Sequence, residues 1–384
     1  MTLIAVSTIV RGAAPGEQSS YLRLVDLELR RVLAVVVIPE SKGRATDPNA
    51  RGGHRGCRGV SGLEDRFVVA SNDRLFVLDP LWRLLREISH PWMGGIHDVL
   101  AVNDGIWVNS TAASLLLKMD WQGNLTEHWH WATDSELAGT LGFSRPPQFD
   151  ESIDYRDPVY GLGVHDVIHL NAVIARGGGL VLSFGQIRSP AIQRLQRARS
   201  AAMRVASVTP ILRQLVAWLR GRRISAGETR GVPAPGKRGA AHAIVELELA
   251  EGRPGPARVL WRQDEVSTPK HNVGFAGRSL LFNDSEIGLA MVDPDTGEVE
   301  LTIQVPGSPT FARGLCMLSD DELWVGSQCP AAIHRLGLQS GSVIDSIELG
   351  AQPLETVYAI CAVPEAFSQD RFDGFAEWTS EPTV

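Results

Sequence analysis

Cysteine is scarce in this chain and carries no pattern. Cys57, Cys316, Cys329 and Cys361 are the whole complement, with neither a CxxC unit nor metal-finger spacing. That excludes a zinc ribbon or a disulfide scaffold as the source of the fold and leaves a reduced, cytoplasmic protein as the expectation. Long apolar runs are also missing: no stretch approaches the roughly 18 to 20 residues of a spanning helix. The segment Met1 to Val10 lacks the basic start and the length of a secretory leader. What is present is ordinary globular material, 44% apolar and 21% charged over 384 residues, enough for a large core in one domain.

A short pattern recurs at nearly constant intervals. Arg58-Gly59-Val60, His97-Asp98-Val99, His271-Asn272-Val273 and Arg313-Gly314-Leu315 each open an apolar run that reaches a polar turn 13 or 14 residues later, at Ser71, Ser110, Ser285 and Ser327. A fifth copy, His165-Asp166-Val167, reaches Ser183 after 18. The steps from Arg58 to His97, His271 to Arg313, and Arg313 to Glu355 are 39, 42 and 42 residues. Periods near 40 built of short strands mark propeller blades, four-stranded sheets that bury their faces only against their neighbours. Six openings predict an all-β, six-bladed β-propeller.

The blade from His97 is the clearest, with strands at His97 to Val102, Ile106 to Ser110, Leu115 to Met119 and Leu125 to Trp131 around the turn Asn103-Asp104-Gly105. The last opening, Glu355 to Val363, has almost no chain left for a blade, and the first 38 residues read as three strands with no inner partner. The ring is therefore expected to close through one C-terminal strand joined to three N-terminal ones, which removes a free sheet edge. Residues 1–364 form the propeller on this reading, with 365–384 a loosely held tail and 188–238 a helical insertion in the third blade. That insertion carries twelve Lys or Arg against one acid, Glu228. It holds +11 of charge, and the remainder −18, within a net −7. Its helical patterns run from Pro190 to Val205 and from Pro210 to Arg220, each with Pro in the permitted first turn. Three readings of it stay open: a helix on an anionic membrane surface, which makes the protein peripheral at the membrane; a lid; or a helix packed on the acidic ring. Aromatic residues do not interleave with its charges, so no nucleic acid is expected as a partner.

In a propeller the inner strands begin on the face where the turns between second and third strands also lie. Arg58, His97, His165, His271, Arg313 and Glu355 should then line one axial mouth, with Ser110, Asn283, Asp284 and Gln328 as ligand-binding groups on the next tier. His97, His165 and His271 suit a divalent metal, iron or zinc, with a position left open for substrate. Arg58 and Arg313 can grip a carboxylate or phosphate or pair with neighbouring acids, and Glu355 can act as a general base. Polar residues in such rings also serve simply to tie blades together, and Asp98 and Asp166 are expected to do so. The expectation is a small-molecule enzyme at the axial mouth, metal-assisted through the three histidines. The alternative is a non-catalytic propeller that binds a protein or small ligand on the same face.

The His-Asp-Val and Arg-Gly-Leu openings, with Glu355-Thr-Val-Tyr-Ala-Ile near the end, resemble an uncharacterised bacterial family of conserved hypothetical six-bladed propellers. The resemblance covers most of the chain except the basic insertion and implies no activity. Axial histidines are also similar to those of carotenoid-cleaving oxygenases, which hold iron with four histidines on seven blades; here three are in register on six. A glutamate on the last blade is similar to strictosidine-synthase-like propellers and implies a metal-free condensation of amine and aldehyde. The Trp-Asp blade dipeptide is absent.

Overall fold

The structure is a computed structural model that describes residues 2–11, 13, 16–41, 43, 56–160, 165–188, 240–264, 266, 268–307, 310–350 and 354–367. The chain opens with β1 (Leu3–Val10), β2 (Ser20–Asp26) and β3 (Arg31–Val37), three strands of a sheet whose inner member comes last. Blade one follows as β4 (Val60–Leu63), β5 (Arg66–Ala70), β6 (Leu75–Leu78) and β7 (Leu84–Ile88). Blade two is β8 (Ile96–Val102), β9 (Gly105–Ser110), β10 (Leu115–Met119) and β11 (Leu125–His130). Helix α1 (Ser135–Thr140) precedes blade three, which is β12 (Leu170–Arg176), β13 (Gly179–Arg188), β14 (Ala240–Ala250) and β15 (Arg253–Gln263). Blade four is β16 (His271–Ala276), β17 (Ser279–Asp284), β18 (Gly288–Val292) and β19 (Val299–Gln304). Blade five is β20 (Arg313–Met317), β21 (Glu322–Gly326), β22 (Ala332–Gly337) and β23 (Ser342–Glu348). Then β24 (Glu355–Ala362) pairs antiparallel with β1 and completes blade six. The fold is a six-bladed β-propeller, closed through its terminal strands as the repeat predicts.

Middle strands are apolar at nearly every position because both of their faces are buried. In β5, Val68 and Ala70 face blade two while Phe67 and Val69 face blade six. The same alternation around the ring produces an apolar layer between each pair of neighbouring blades. Outer strands meet solvent on one side and alternate instead, as in β23.

The two interruptions differ. The long loop after blade two is packed rather than loose: Asp134 caps α1 by accepting from the Leu137 amide at 2.9 Å, and buried Tyr155 donates its amide to the Pro91 carbonyl at 2.7 Å. The second interruption leaves from β13 and returns in β14 at paired residues, Arg188 opposite Ala240. The helical patterns expected at Pro190 to Val205 and Pro210 to Arg220 lie outside the described residues, as does the tail after Phe367. Phe367 itself is buried against Phe67 and Trp82, so the chain stays packed three residues beyond Pro364. No helix among the described residues is long and apolar enough to cross a membrane.

Candidate functional site at the axial mouth

The recurring strand opening has a packing cause. Inner strands carry a bulge near their start, where the middle residue of the repeat is held: Asp98, Asn171, Asn272, Gly314 and Tyr358. That residue faces the inner strand of the next blade. Where it is polar it reaches across, Asp98 Oδ2 accepting from the Val173 amide at 3.1 Å and Asn272 Oδ1 from the Gly314 amide at 2.9 Å. Where the strands run closest it is glycine. A Cβ on Gly59 would sit 2.7 Å from Asp98 Cα, and one on Gly314 would sit 2.8 Å from the Ile360 side chain. The expectation that Asp98 ties blades together holds.

This register also shows where blade three begins. Ala172 pairs with Ser183, so its opening is Leu170-Asn171-Ala172. His165 belongs to the preceding loop, its ring against Tyr155 and Tyr160. His169 takes its place beside the axis. The rings of His97, His169 and His271 meet with centroids 4.9, 6.1 and 6.4 Å apart. Arg58 Nη1 donates to Tyr358 Oη at 2.9 Å and lies 3.4 Å from His97 Nδ1. Arg313 Nη2 donates to His271 Nε2 at 2.7 Å, and its guanidinium lies 4.4 Å from the centre of the Tyr358 ring. Arg11, just past β1, stands 4.0 Å over Phe311, which also packs against His271.

Each imidazole is set differently. His97 Nδ1 approaches the Gly95 carbonyl to 2.7 Å and must donate to it, which leaves Nε2 as the acceptor. Burial first, then the Arg58 charge, hold His97 well below its ordinary pKa; burial and Arg313 do the same to His271. Both are neutral at pH 7. His169 donates Nδ1–H to Asp166 at 2.9 Å, and Arg188 pairs with the same carboxylate at 2.8 Å. Burial pushes Asp166 up, but Arg188 and His169 outweigh it and bring it to about 2. Burial, then the charge of Arg313, lowers Arg11 to about 10.

The donor set does not fit a metal. His271 Nε2 accepts from Arg313, its Nδ1 is 2.9 Å from the Asn171 amide nitrogen, and three guanidiniums surround the rings. Among the described residues no group of three His, Cys, Asp or Glu is arranged to hold a metal ion. Of the expected trio, His97 and His271 come together and His165 stands apart.

Glu355 also lies off the axial tier. Tyr358 occupies the blade-six bulge, so Val357 is the counterpart of Arg313 and Glu355 falls two residues before it. Its carboxylate is fully buried inside the closing sheet, where Oε1 accepts from Arg23 Nη2 at 2.6 Å and Thr8 Oγ1 at 2.5 Å. The second-tier residues are likewise occupied in holding the ring. Ser110 bonds both polar backbone groups of Gly94, Asn283 donates to the Gly314 carbonyl, and Asp284 takes Lys270 at 2.5 Å. Gln328 accepts from Thr356.

Asp98 allows a pH test of this construction. Burial raises it to about 7, against two accepted amides that pull it down. Its folded pKa thus lies above the unfolded value of about 3.9, so its contribution to stability is full below pH 4 and lost as pH rises through 7. Asp98→Asn should gain on the wild type by roughly 2–4 kcal/mol between pH 4 and 8. Urea unfolding at a series of pH values reads this directly, and a pH-independent difference would contradict a half-buried, proton-holding Asp98.

Two clefts of about 300 and 400 Å³ lie elsewhere, one lined by Glu322, Arg335 and Asp345 and the other by Asp65, Arg66 and Trp121. Arg335 and Glu322 pair at 2.6 Å within the first.

No protein-family model matches the chain, and no curated protein matches it either. Solved structures do. A protein of unknown function from Bacteroides caccae superposes with a TM-score of 0.51 at 8% identity, over 95% of this chain and 99% of that one. A chain of a nidogen/laminin complex gives 0.51 at 8%, over 94% and 97%. A streptogramin B lyase structure gives 0.41 at 11%, over 77% and 69%. Likeness at such identity speaks for the fold alone.

Proposed function

We propose that the protein is a small-molecule enzyme whose site is the axial mouth and whose proton-moving group is His169. The observation that carries this is the Asp166–His169 pair, set beside two histidines held neutral. Asp166 fixes the proton on Nδ1, and the Nε2 lone pair is left as a base. Arg58 and Tyr358 supply donors to orient a substrate. The test is turnover of a panel of neutral and anionic small molecules, followed by NMR with wild type and His169→Gln. A substrate consumed by the wild type should turn over about 100- to 10,000-fold more slowly in the variant. Equal rates would remove His169 from the chemistry.

A non-catalytic propeller that binds a small ligand or protein on this face is the second reading. It is favoured by how many mouth residues, Asp98, Asn272 and His271 among them, already serve as ties. Binding without turnover of any compound would decide for it. The charge of segment 188–238 fits an anionic membrane surface as a further partner, with the protein cytoplasmic and peripheral at that membrane. The strand openings keep it beside the uncharacterised bacterial six-bladed propellers that they resemble.

A further inference from the structure

We propose that Arg11 and Arg313, backed by Arg58 and Tyr358, form a subsite for an oxyanion of the ligand, a carboxylate or a phosphate. This rests on the reading of the axial mouth as a ligand site and names the class of ligand that it takes. Arg11 and Arg313 share one aromatic ring, their guanidiniums 4.0 and 5.0 Å from the centre of Phe311. Neither is paired with a carboxylate among the described residues, and the Nε of each is buried with no hydrogen-bond partner there. Three other largely buried arginines are treated differently. Arg23 meets Glu355 at 2.6 Å, Arg74 meets Asp73 at 3.0 Å, and Arg188 meets Asp166 at 2.8 Å.

Two like charges brought together out of water repel, and the faces of Phe311 and Tyr358 offset only part of that. Burial first, and then this repulsion from Arg313, lowers Arg11 to about 10. An oxyanion between them would accept from both forks and neutralise the pair, and carboxylate and phosphate suit that planar donor geometry equally. His97 and His271 do not compete for it, being neutral. Asp166, the acid beside His169, is already engaged by Arg188 and His169.

Thermal unfolding of the full chain with inorganic phosphate or succinate, against chloride at matched ionic strength, tests this. The midpoint of the wild type should rise saturably with at least one probe. A response to phosphate alone assigns a phosphate ester, and a response to succinate alone a carboxylate. Arg11→Met should weaken the response about tenfold to a hundredfold. Without either probe that variant should unfold no earlier than the wild type, because a repulsion has been removed; a residue that merely held the fold would behave oppositely. Arg313→Gln serves as the second variant and should likewise lose the response. No response of the wild type to either probe, or an undiminished response in both variants, overturns the subsite. A neutral-compound panel then separates the two ideas. A neutral ligand whose response disappears in His169→Gln, with no response to anions, overturns the anion subsite and leaves the mouth standing; no response to any compound overturns both.

Discussion

A chain ended after Leu354 should lose cooperative unfolding and aggregate. Strand β24 stands between the axis and β1, pairing from Ile4 opposite Ala362 to Val10 opposite Glu355. Its removal strips partners from two apolar layers at once, since Val357 and Ile360 pack toward blade five and Ala359 toward blade one. Burial of a large aliphatic side chain contributes about 1.5–3 kcal/mol. A few such residues therefore match the roughly 5–15 kcal/mol that separates a folded domain from its unfolded state. The truncation also bares the inner edge of β1, a template for pairing with other chains. Sedimentation and calorimetry of the shortened protein check this. A soluble monomer with an unchanged thermal midpoint would mean that the ring does not depend on this closure.

The largest effect of a single substitution is expected at Glu355. Its carboxylate is fully buried and held by Arg23 and Thr8, and Arg23 is itself buried. Glu355→Leu leaves the Arg23 guanidinium without its counter-charge inside the closing sheet. The cost should be about 3–5 kcal/mol in urea unfolding. Replacing both partners, Arg23→Met with Glu355→Leu, should recover most of it, because an apolar pair of similar size has no charge to strand. A loss below about 1 kcal/mol in the single variant would show that the pair is solvated. The double variant also separates roles: it should keep every ligand response of the axial mouth, whereas a catalytic Glu355 would take activity with it.

The placement of Glu355 shows how reading the repeat can mislead by two residues. The interval of 42 from Arg313 points to Glu355, but the bulge that follows Arg313 at Gly314 recurs at Tyr358, so the true counterpart is Val357, 44 residues on. A one-dimensional count cannot detect a bulge, which changes register without changing composition. For His169 a signal was present. The interval from His165 to Ser183 is 18, while Leu170 to Ser183 is 13 and matches the other blades. Arg11 and Phe311 carried no such mark, because both lie outside the strands and before the residues that repeat.

Blade number, strand order and terminal closure were determined by the sequence alone, because each rests on periodicity. An apolar strand buried on both faces and a turn every few residues leave a trace that recurs wherever a blade recurs. The tertiary structure alone decided which polar residues meet at the axis and in what charge state. Arg11, Arg58, Arg313 and Tyr358 come from four separate stretches of the chain, in three blades joined only by ring closure. Whether an arginine is paired, stacked or left facing another arginine depends on distances of a few ångströms between blades. Whether a histidine holds its proton depends on burial and on those same neighbours. Neither quantity is local, so no stretch of sequence contains it.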